Sequence, residues 1–178
     1  MEVEAERMMD EILEIVDEHN TVIGTAVRTE IHRRHLMHRS VHVFLFNSKG
    51  ELFLQKRSAR KDEFPGCYDS SAAGHVSPGE SYIEAAAREL KEELGIESPL
   101  KKIADLPASQ GTGWEFVLFY AAASDSAVTP CAEEIEAGDF YPLSEIAQWM
   151  SREAAAFTPS FRKLFALYHD MQGEDAGA

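Results

Sequence analysis

From Glu11 to Val16 the apolar residues Ile12, Leu13, Ile15 and Val16 are set among acids. A polar run, Asp17 to Asn20, separates them from a second short apolar stretch, Thr21 to Val27, that contains Gly24. Two such runs about a polar turn predict a β-hairpin over residues 11–28. Thr29 to Leu36, rich in Arg and His, suits a helical turn. His38 to Phe46 carries Val41, Val43, Phe44, Leu45 and Phe46 and predicts a strand. Asn47-Ser48-Lys49-Gly50 then turns the chain, and Glu51 to Lys56 returns antiparallel. Ser58 to Gly66 reads as a charged loop. Strands are expected over Leu100–Leu106 and Glu115–Ala121, and helices over Leu143–Arg152 and Pro159–Met171. The first ten residues form a charged lead-in, and the tail from Gln172 has nothing to bury and is expected to be disordered. One domain over residues 1–171 with a tail over 172–178 accounts for the pattern.

The stretch from Gly74 to Ile96 is the most structured in its signals. Ser81 followed by Glu84 is a capping box, which starts a helix at Ser81. Ile83, Ala87, Leu90 and Leu94 form an apolar stripe, and Gly95 supplies the stop. Glu89, Glu92 and Glu93 stand at i, i+3 and i+4, so their carboxylates are expected to converge on one surface patch. Like charges at that spacing repel unless a cation sits among them. A hard divalent ion such as Mg²⁺ takes a few carboxylates together with waters and substrate phosphates. Arg88 lies within i+4 reach of Glu84 and Glu92 and can fix their rotamers. The ordinary alternative is a solvated acidic helix face.

Composition narrows the partners. The chain has 178 residues, enough for one well-buried domain, with 44% hydrophobic and 27% charged residues as in ordinary soluble proteins. A net charge of −14 repels phosphate polymers, which argues against a DNA or RNA partner. A small anionic substrate stays feasible where a divalent ion and a few bases invert the local potential. Cys67 and Cys131 make neither a disulfide framework nor a C-x-x-C, and read as idle thiols in a reducing compartment. The opening residues lack a signal-peptide core and no run is long and apolar enough for a membrane span. A soluble, cytoplasmic protein is the expectation.

The segment resembles the Nudix box, G-x5-E-x7-R-E-U-x-E-E-x-G-U with U aliphatic, at every position: Gly74, Glu80, Arg88, Glu89, Leu90, Glu92, Glu93, Gly95 and Ile96. The resemblance implies an α+β fold, a mixed β-sheet sandwiched between helices. It implies a Mg²⁺- or Mn²⁺-dependent hydrolase that cleaves a nucleoside diphosphate derivative or a related small metabolite. Glu92 and Glu93 would be metal ligands, Glu89 a ligand or the base that activates water, and the Gly74 carbonyl a further ligand. Arg88 would complete the catalytic set, and Glu80 would pair with it to organise the helix, which Gly95 ends. A homodimer is compatible with the family.

Outside the box, His38-x8-Asn47, Gln55-Lys56-Arg57, Pro65-Gly66 and Asp69-Ser70 ahead of Gly74-His75 resemble isopentenyl-diphosphate isomerase and its hydrolase relatives. That resemblance implies that Arg57 and Lys61 hold a diphosphate, a fork and a flexible ammonium suited to it. It also implies a second metal on His38, His75 and Glu115, a donor set for Zn²⁺ or Mn²⁺. Two departures separate the chain from the isomerase. The isomerase has a cysteine immediately before the box glycine, where this chain has Ala73, and a box lacking the first two glutamates of the trio, which are present here. Hydrolysis is therefore the expected reaction, with isomerisation and a non-catalytic ligand-binding module as alternatives. His32, His35 and His42 flank the metal-type histidines; Phe64 and Trp114 could cover a substrate; Glu133, Glu134 and Glu136 lie where some Nudix enzymes add a carboxylate. Each also has a plain surface or core reading.

Overall fold

The computed structural model describes residues 11–175. Its organising strand is β3 (His38–Phe46), which runs parallel to β8 (Glu115–Ala123), with β7 (Lys101–Leu106) antiparallel beyond it. On its other side β3 meets β4 (Leu52–Arg57) only at Phe46 and Leu52, next to the turn at Gly50. The two strands then part. The short strands β5 (Tyr68–Asp69) and β6 (Ala72–His75) fill the wedge, β5 pairing with β4 and β6 with β3. β9 (Ile135–Tyr141) covers the outer edge of β4.

At the apex of the wedge Ser71, fully buried, does the work of a missing ladder bond. Its hydroxyl accepts from Leu45 N at 2.8 Å and donates to Phe53 O at 2.6 Å, so neither separated strand keeps an unpaired backbone group there. Side chains alternate across the sheet. Val41, Val43 and Leu45 of β3 pack with Ala85, Ala86, Leu90 and Leu94 of helix α2 (Tyr82–Leu94). Phe44 and Phe119 face the opposite way, against Ile146 of α3 (Leu143–Arg152) and Phe161, Leu164 and Phe165 of α4 (Pro159–Asp175). The result is the mixed sheet between helices expected of an α+β sandwich. Each fully buried Leu or Phe contributes about 1.5–3 kcal/mol.

Upstream, β1 (Ile12–Val16) and β2 (Val22–Val27) form a separate antiparallel hairpin, seated through the buried Leu13 and Val16. Val16 N donates to Met37 O at 2.9 Å, and the chain enters helix α1 (Arg28–Arg34) directly from β2. His35 ends that helix in the left-handed conformation, φ 54°.

Several details differ from the sequence pattern. β5, β6 and β9 fall in stretches without strand periodicity. α4 continues through Asp175, past Met171, so the expected disordered tail begins inside a helix; residues 176–178, like the lead-in 1–10, lie outside the described residues. The apolar stripe of α2 is also turned. Ile83 is 48% exposed and Ala87 is exposed, whereas Ala85, Ala86, Leu90, Glu93 and Leu94 face the sheet. Two alanines let the helix approach β6 closely, and that rotation brings a glutamate inward. No helix among the described residues is long and apolar enough to cross a membrane.

Candidate functional site

Helix α2 starts with both halves of the capping box made: Glu84 N donates to Ser81 Oγ, and Ser81 N to Glu84 Oε2 at 2.9 Å. Gly95 ends it at φ 69°, a conformation that favours glycine. Between those ends the three box glutamates separate by depth, and the single exposed patch expected from their spacing does not form. The Glu92 side chain is 62% exposed, Glu89 is 13% exposed, and Glu93 is buried. Glu93 accepts from Gln55 Nε2 at 2.6 Å and Ala73 N at 3.3 Å. Burial, reinforced by the Glu89 charge, pushes its carboxyl well above the usual range, with Lys61 and the Gln55 bond opposing. Burial likewise lifts Glu89 to about 7, offset in part by the charge and hydrogen bond of Arg88.

Arg88 is the hub of this group. It donates to Glu80 at 2.8 and 2.9 Å, to Glu89 at 2.7 Å, to the His75 carbonyl at 3.0 Å and to Glu92 at 3.3 Å. Glu84 stays with the cap and takes no part. Glu80 also accepts from Ser77 N at 2.9 Å, which shapes the loop into the helix. A Cβ at Gly74 would run into the Glu89 carboxylate, so any other residue there must displace that group. The glycine therefore brings the backbone of β6 against a buried carboxylate pair.

A second cluster forms one residue further on. Donor atoms of His32, His38, His75 and Glu115 all lie within 4.8 Å of one another. The parallel register of β3 and β8 sets His38 opposite Glu115, and β6 pairs His75 with Ser40 of the same strand. Each imidazole is aimed by its other nitrogen. His38 Nδ1 meets Leu36 O at 2.9 Å, His75 Nδ1 meets Glu11 Oε2 at 3.3 Å, and His32 Nδ1 meets Glu63 Oε1 at 3.2 Å. His38 Nε2 is buried without a hydrogen-bond partner among the described residues, 3.4 Å from Glu115 Oε1. Burial pushes His75 down, but Glu11 and Glu115 outweigh it and hold the imidazole up to about 9. Burial also opposes ionisation of Glu115, yet its contacts with His38 and His75 keep the carboxyl well below its usual range.

The donors of both clusters fit divalent cations. Among the described residues no cation makes an ion pair with the buried Glu93, and an imidazole nitrogen without a hydrogen-bond partner points into the histidine cluster. Carboxylate and carbonyl oxygens suit Mg²⁺ or Mn²⁺, and imidazoles with one carboxylate suit Zn²⁺ or Mn²⁺. His32 joins the second cluster in addition to the sequence-derived His38, His75 and Glu115. Its signal was the i, i+3 histidine run, but His35 of the same run turns away and lies 6.4 Å, centroid to centroid, from Trp114. His42 is buried and bonded to Ser70 Oγ at 2.8 Å.

Both clusters open on one cavity of about 780 Å³, lined also by Arg57, Lys61, Phe64, Trp114 and Glu134. Arg57 Nη1 donates to Asp69 at 3.2 Å and its Nε to the Glu63 carbonyl at 3.1 Å; Lys61 pairs with Glu134. Phe64 and Trp114 hold φ 47° and 65°, rare for bulky residues, and Phe64 is 49% exposed at the cavity. Glu133 also lines the cavity, whereas Glu136 pairs with Lys56 at 3.1 Å outside it.

A buried carboxylate pair on a helix, set against a glycine strand in a split mixed sheet, defines a Nudix-type site. The chain belongs to the Nudix family: the NUDIX domain model matches residues 36–165. A Streptomyces coelicolor protein named as a Nudix hydrolase is 40% identical over 143 residues, 77% of each chain. The isopentenyl-diphosphate Delta-isomerase of Streptomyces griseus is 34% identical over 86% of each chain. A protein of Photorhabdus laumondii named isopentenyl-diphosphate Delta-isomerase 2 is 45% identical, but the match spans 53% of this chain and 54% of that protein. Among solved structures, DR0079 from Deinococcus radiodurans superposes with a TM-score of 0.72 at 32% identity, covering 80% of this chain and 90% of that one.

Proposed function

We propose that the protein hydrolyses a diphosphate linkage in a small metabolite, a nucleoside diphosphate derivative or a related compound. Glu89, Glu92, Glu93 and the Gly74 carbonyl hold Mg²⁺ or Mn²⁺, and His32, His38, His75 and Glu115 hold a second ion of the Zn²⁺ or Mn²⁺ type. The observation that carries this reading is the pair Glu89 and Glu93: Glu89 lies against Gly74 with Arg88 on its outer side, and the neighbouring Glu93 is buried with hydrogen-bond donors but no ion pair among the described residues. A divalent ion there supplies charge neutralisation on the diphosphate oxygens and raises the acidity of the attacking water.

Glu89 acts as the base. Its carboxylate takes a proton as water attacks phosphorus. The bridging P–O bond breaks, and the leaving oxygen keeps the electron pair. Arg88 fixes the Glu89 carboxylate through the 2.7 Å bond. Lys61 exchanges Glu134 for a phosphate oxygen, and Arg57, steadied by Asp69, turns its remaining N–H groups to the same diphosphate.

Isomerisation of isopentenyl diphosphate is the second reading, favoured by the likeness to the Streptomyces griseus isomerase along most of its length. Ala73 weighs against it. That position lies on β6 opposite His42, beside Glu93, and has no titratable atom to move a proton to or from carbon. Purified protein is incubated with Mg²⁺ or Mn²⁺ and a panel of nucleoside di- and triphosphates, sugar nucleotides, dinucleotides and prenyl diphosphates. Release of phosphate or a nucleoside monophosphate from one of them, with no allylic isomer by proton NMR, is the expected result. Conversion of isopentenyl to dimethylallyl diphosphate at an enzymatic rate would replace hydrolysis with isomerisation.

A further inference from the structure

The loop between β4 and β5, residues 58–66, carries Lys61 and Phe64 over the cavity. Its foot is closed by backbone bonds, Arg57 N to Cys67 O at 2.9 Å and Gly66 N to Arg57 O at 3.0 Å. Its tip is held from two sides. Lys61 reaches Glu134 on one wall, while the next two residues turn to α1 on the other. Asp62 takes the Arg28 fork at 2.7 and 3.0 Å, and Glu63 takes His32 Nδ1 at 3.2 Å. Arg28 is itself buried and lies 3.8 Å from Glu11, the residue that aims His75.

His32 therefore faces two ways. Its Nε2 is in the histidine cluster, 3.4 Å from His75 Nε2, and its Nδ1 is on the loop. We propose that Glu63 is a positioning residue that couples an ion at the histidine centre to the loop carrying Lys61, with the Arg28–Asp62 pair as the second tie. The coupling rests on the reading that this centre binds a metal. An imidazole ligated through Nε2 has a fixed plane, so its Nδ1–H is aimed along one line. Ligation also makes that N–H a stronger donor to a carboxylate. In the absence of an ion the ring can turn and the Glu63 contact is free to break. An ion some distance from Lys61 thus pre-sets the phosphate-binding lysine, and displacing the loop weakens ion binding in return.

The loop reports its own state, because Arg60 is exposed and Arg60 and Lys61 are adjacent tryptic sites. The full chain is stripped with chelator and reloaded with Zn²⁺ at constant Mg²⁺, and bound zinc is measured by elemental analysis. Cleavage after Arg60 and Lys61 is then timed by mass spectrometry, normalised to a small peptide substrate in the same tube. Zinc is expected to slow loop cleavage about tenfold in the wild type, through suppression of local opening. In Glu63→Ala the protection falls to about twofold or less with zinc still bound; Glu63→Gln, which keeps an acceptor oxygen, restores most of it. Equal protection in wild type and Glu63→Ala overturns the coupling, as does zinc binding to wild type with no change in cleavage. Wild type that binds no zinc would overturn the metal-centre reading itself, and the elemental analysis tells that failure apart from the other two.

Discussion

Glu89→Gln, measured in chelator-treated protein, tests whether the box carboxylates are buried in the way the structure has them. Glu89 is 13% exposed and its carboxyl is raised from 4.5 to about 7, first by burial. A carboxyl raised in the folded state holds its proton more tightly there than in the unfolded chain. The associated stability is fully present below pH 4.5 and is lost as pH rises through about 7. At 1.36 kcal/mol per pH unit the loss is about 3 kcal/mol. Glutamine does not titrate, so the variant escapes it. Constant contributions, including the weakened bond from Arg88, cancel when two pH values are compared. For a chain of this size 1 kcal/mol moves Tm by about 2–4 °C. The Tm of the variant relative to wild type should therefore climb by roughly 6–12 °C between pH 4.5 and pH 8. The buried Glu93 beside it, its carboxyl also held well above the usual range, acts in the same direction. Thermal melts in EDTA at the two pH values are sufficient. A Tm gap that stays constant with pH would mean that Glu89 is solvated, and the picture of a buried pair would fall with it.

Glu93→Gln and Glu92→Gln should each lower turnover by about 10²-fold or more on whichever panel substrate is best, with the fold intact by circular dichroism. Only Glu93→Gln should also raise metal-free stability at pH 8, because Glu92 already lies in solvent; wild-type turnover in either variant would remove that residue from the metal site. Millimolar Mg²⁺ or Mn²⁺ should raise the wild-type Tm, and do so much less in the Glu92→Gln/Glu93→Gln double variant; an equal shift would move the site elsewhere. Gly74→Ala should be as inactive as Glu93→Gln, since its Cβ must displace the Glu89 carboxylate, and near-normal turnover would contradict that contact. Ser71→Ala leaves Leu45 N and Phe53 O unpaired in the core and should cost about 2–4 kcal/mol in urea melts, against under 1 kcal/mol if the wedge can close.

What was legible in the sequence was local. The capping box at Ser81 and the stop at Gly95 depend on residues within a turn of one another and spacing alone carries them, whereas the pairing of Arg88 with Glu80 came from the resemblance to the Nudix box. The rotation of α2 is a different matter. Ile83 and Ala87 make a sound apolar stripe on paper, but the helix presents Ala86, Leu90 and Glu93 because small residues let it sink onto β6. Whether a glutamate at i+3 or i+4 is the buried one is decided by that contact. The strands of the wedge were illegible for another reason: two and four residues are too few to show a period, and Ser70 and Ser71 between them are polar yet fully buried. The fourth histidine-centre donor, His32, depended on the length of α1 and the direction taken by the chain after it, which the run of three histidines left open.

The wedge also explains why the two candidate metal centres are neighbours. β6 enters between β3 and β4 with Gly74 and His75 as its last residues. Successive residues of a strand point to opposite faces. Gly74 is on the α2 side, where the absence of a side chain admits Glu89, and His75 is on the other side, where the register with β3 and β8 delivers it to His38 and Glu115. Arg88 ties the two together, since the same guanidinium that holds Glu89 also binds the His75 carbonyl. A shift of β6 by one residue would empty both centres at once, because the glycine would face the histidines and the imidazole would meet the carboxylates. Ser71, three residues before Gly74, ties that register through Leu45 and Phe53. A buried serine hydroxyl that touches neither centre thereby sets the geometry on which both depend.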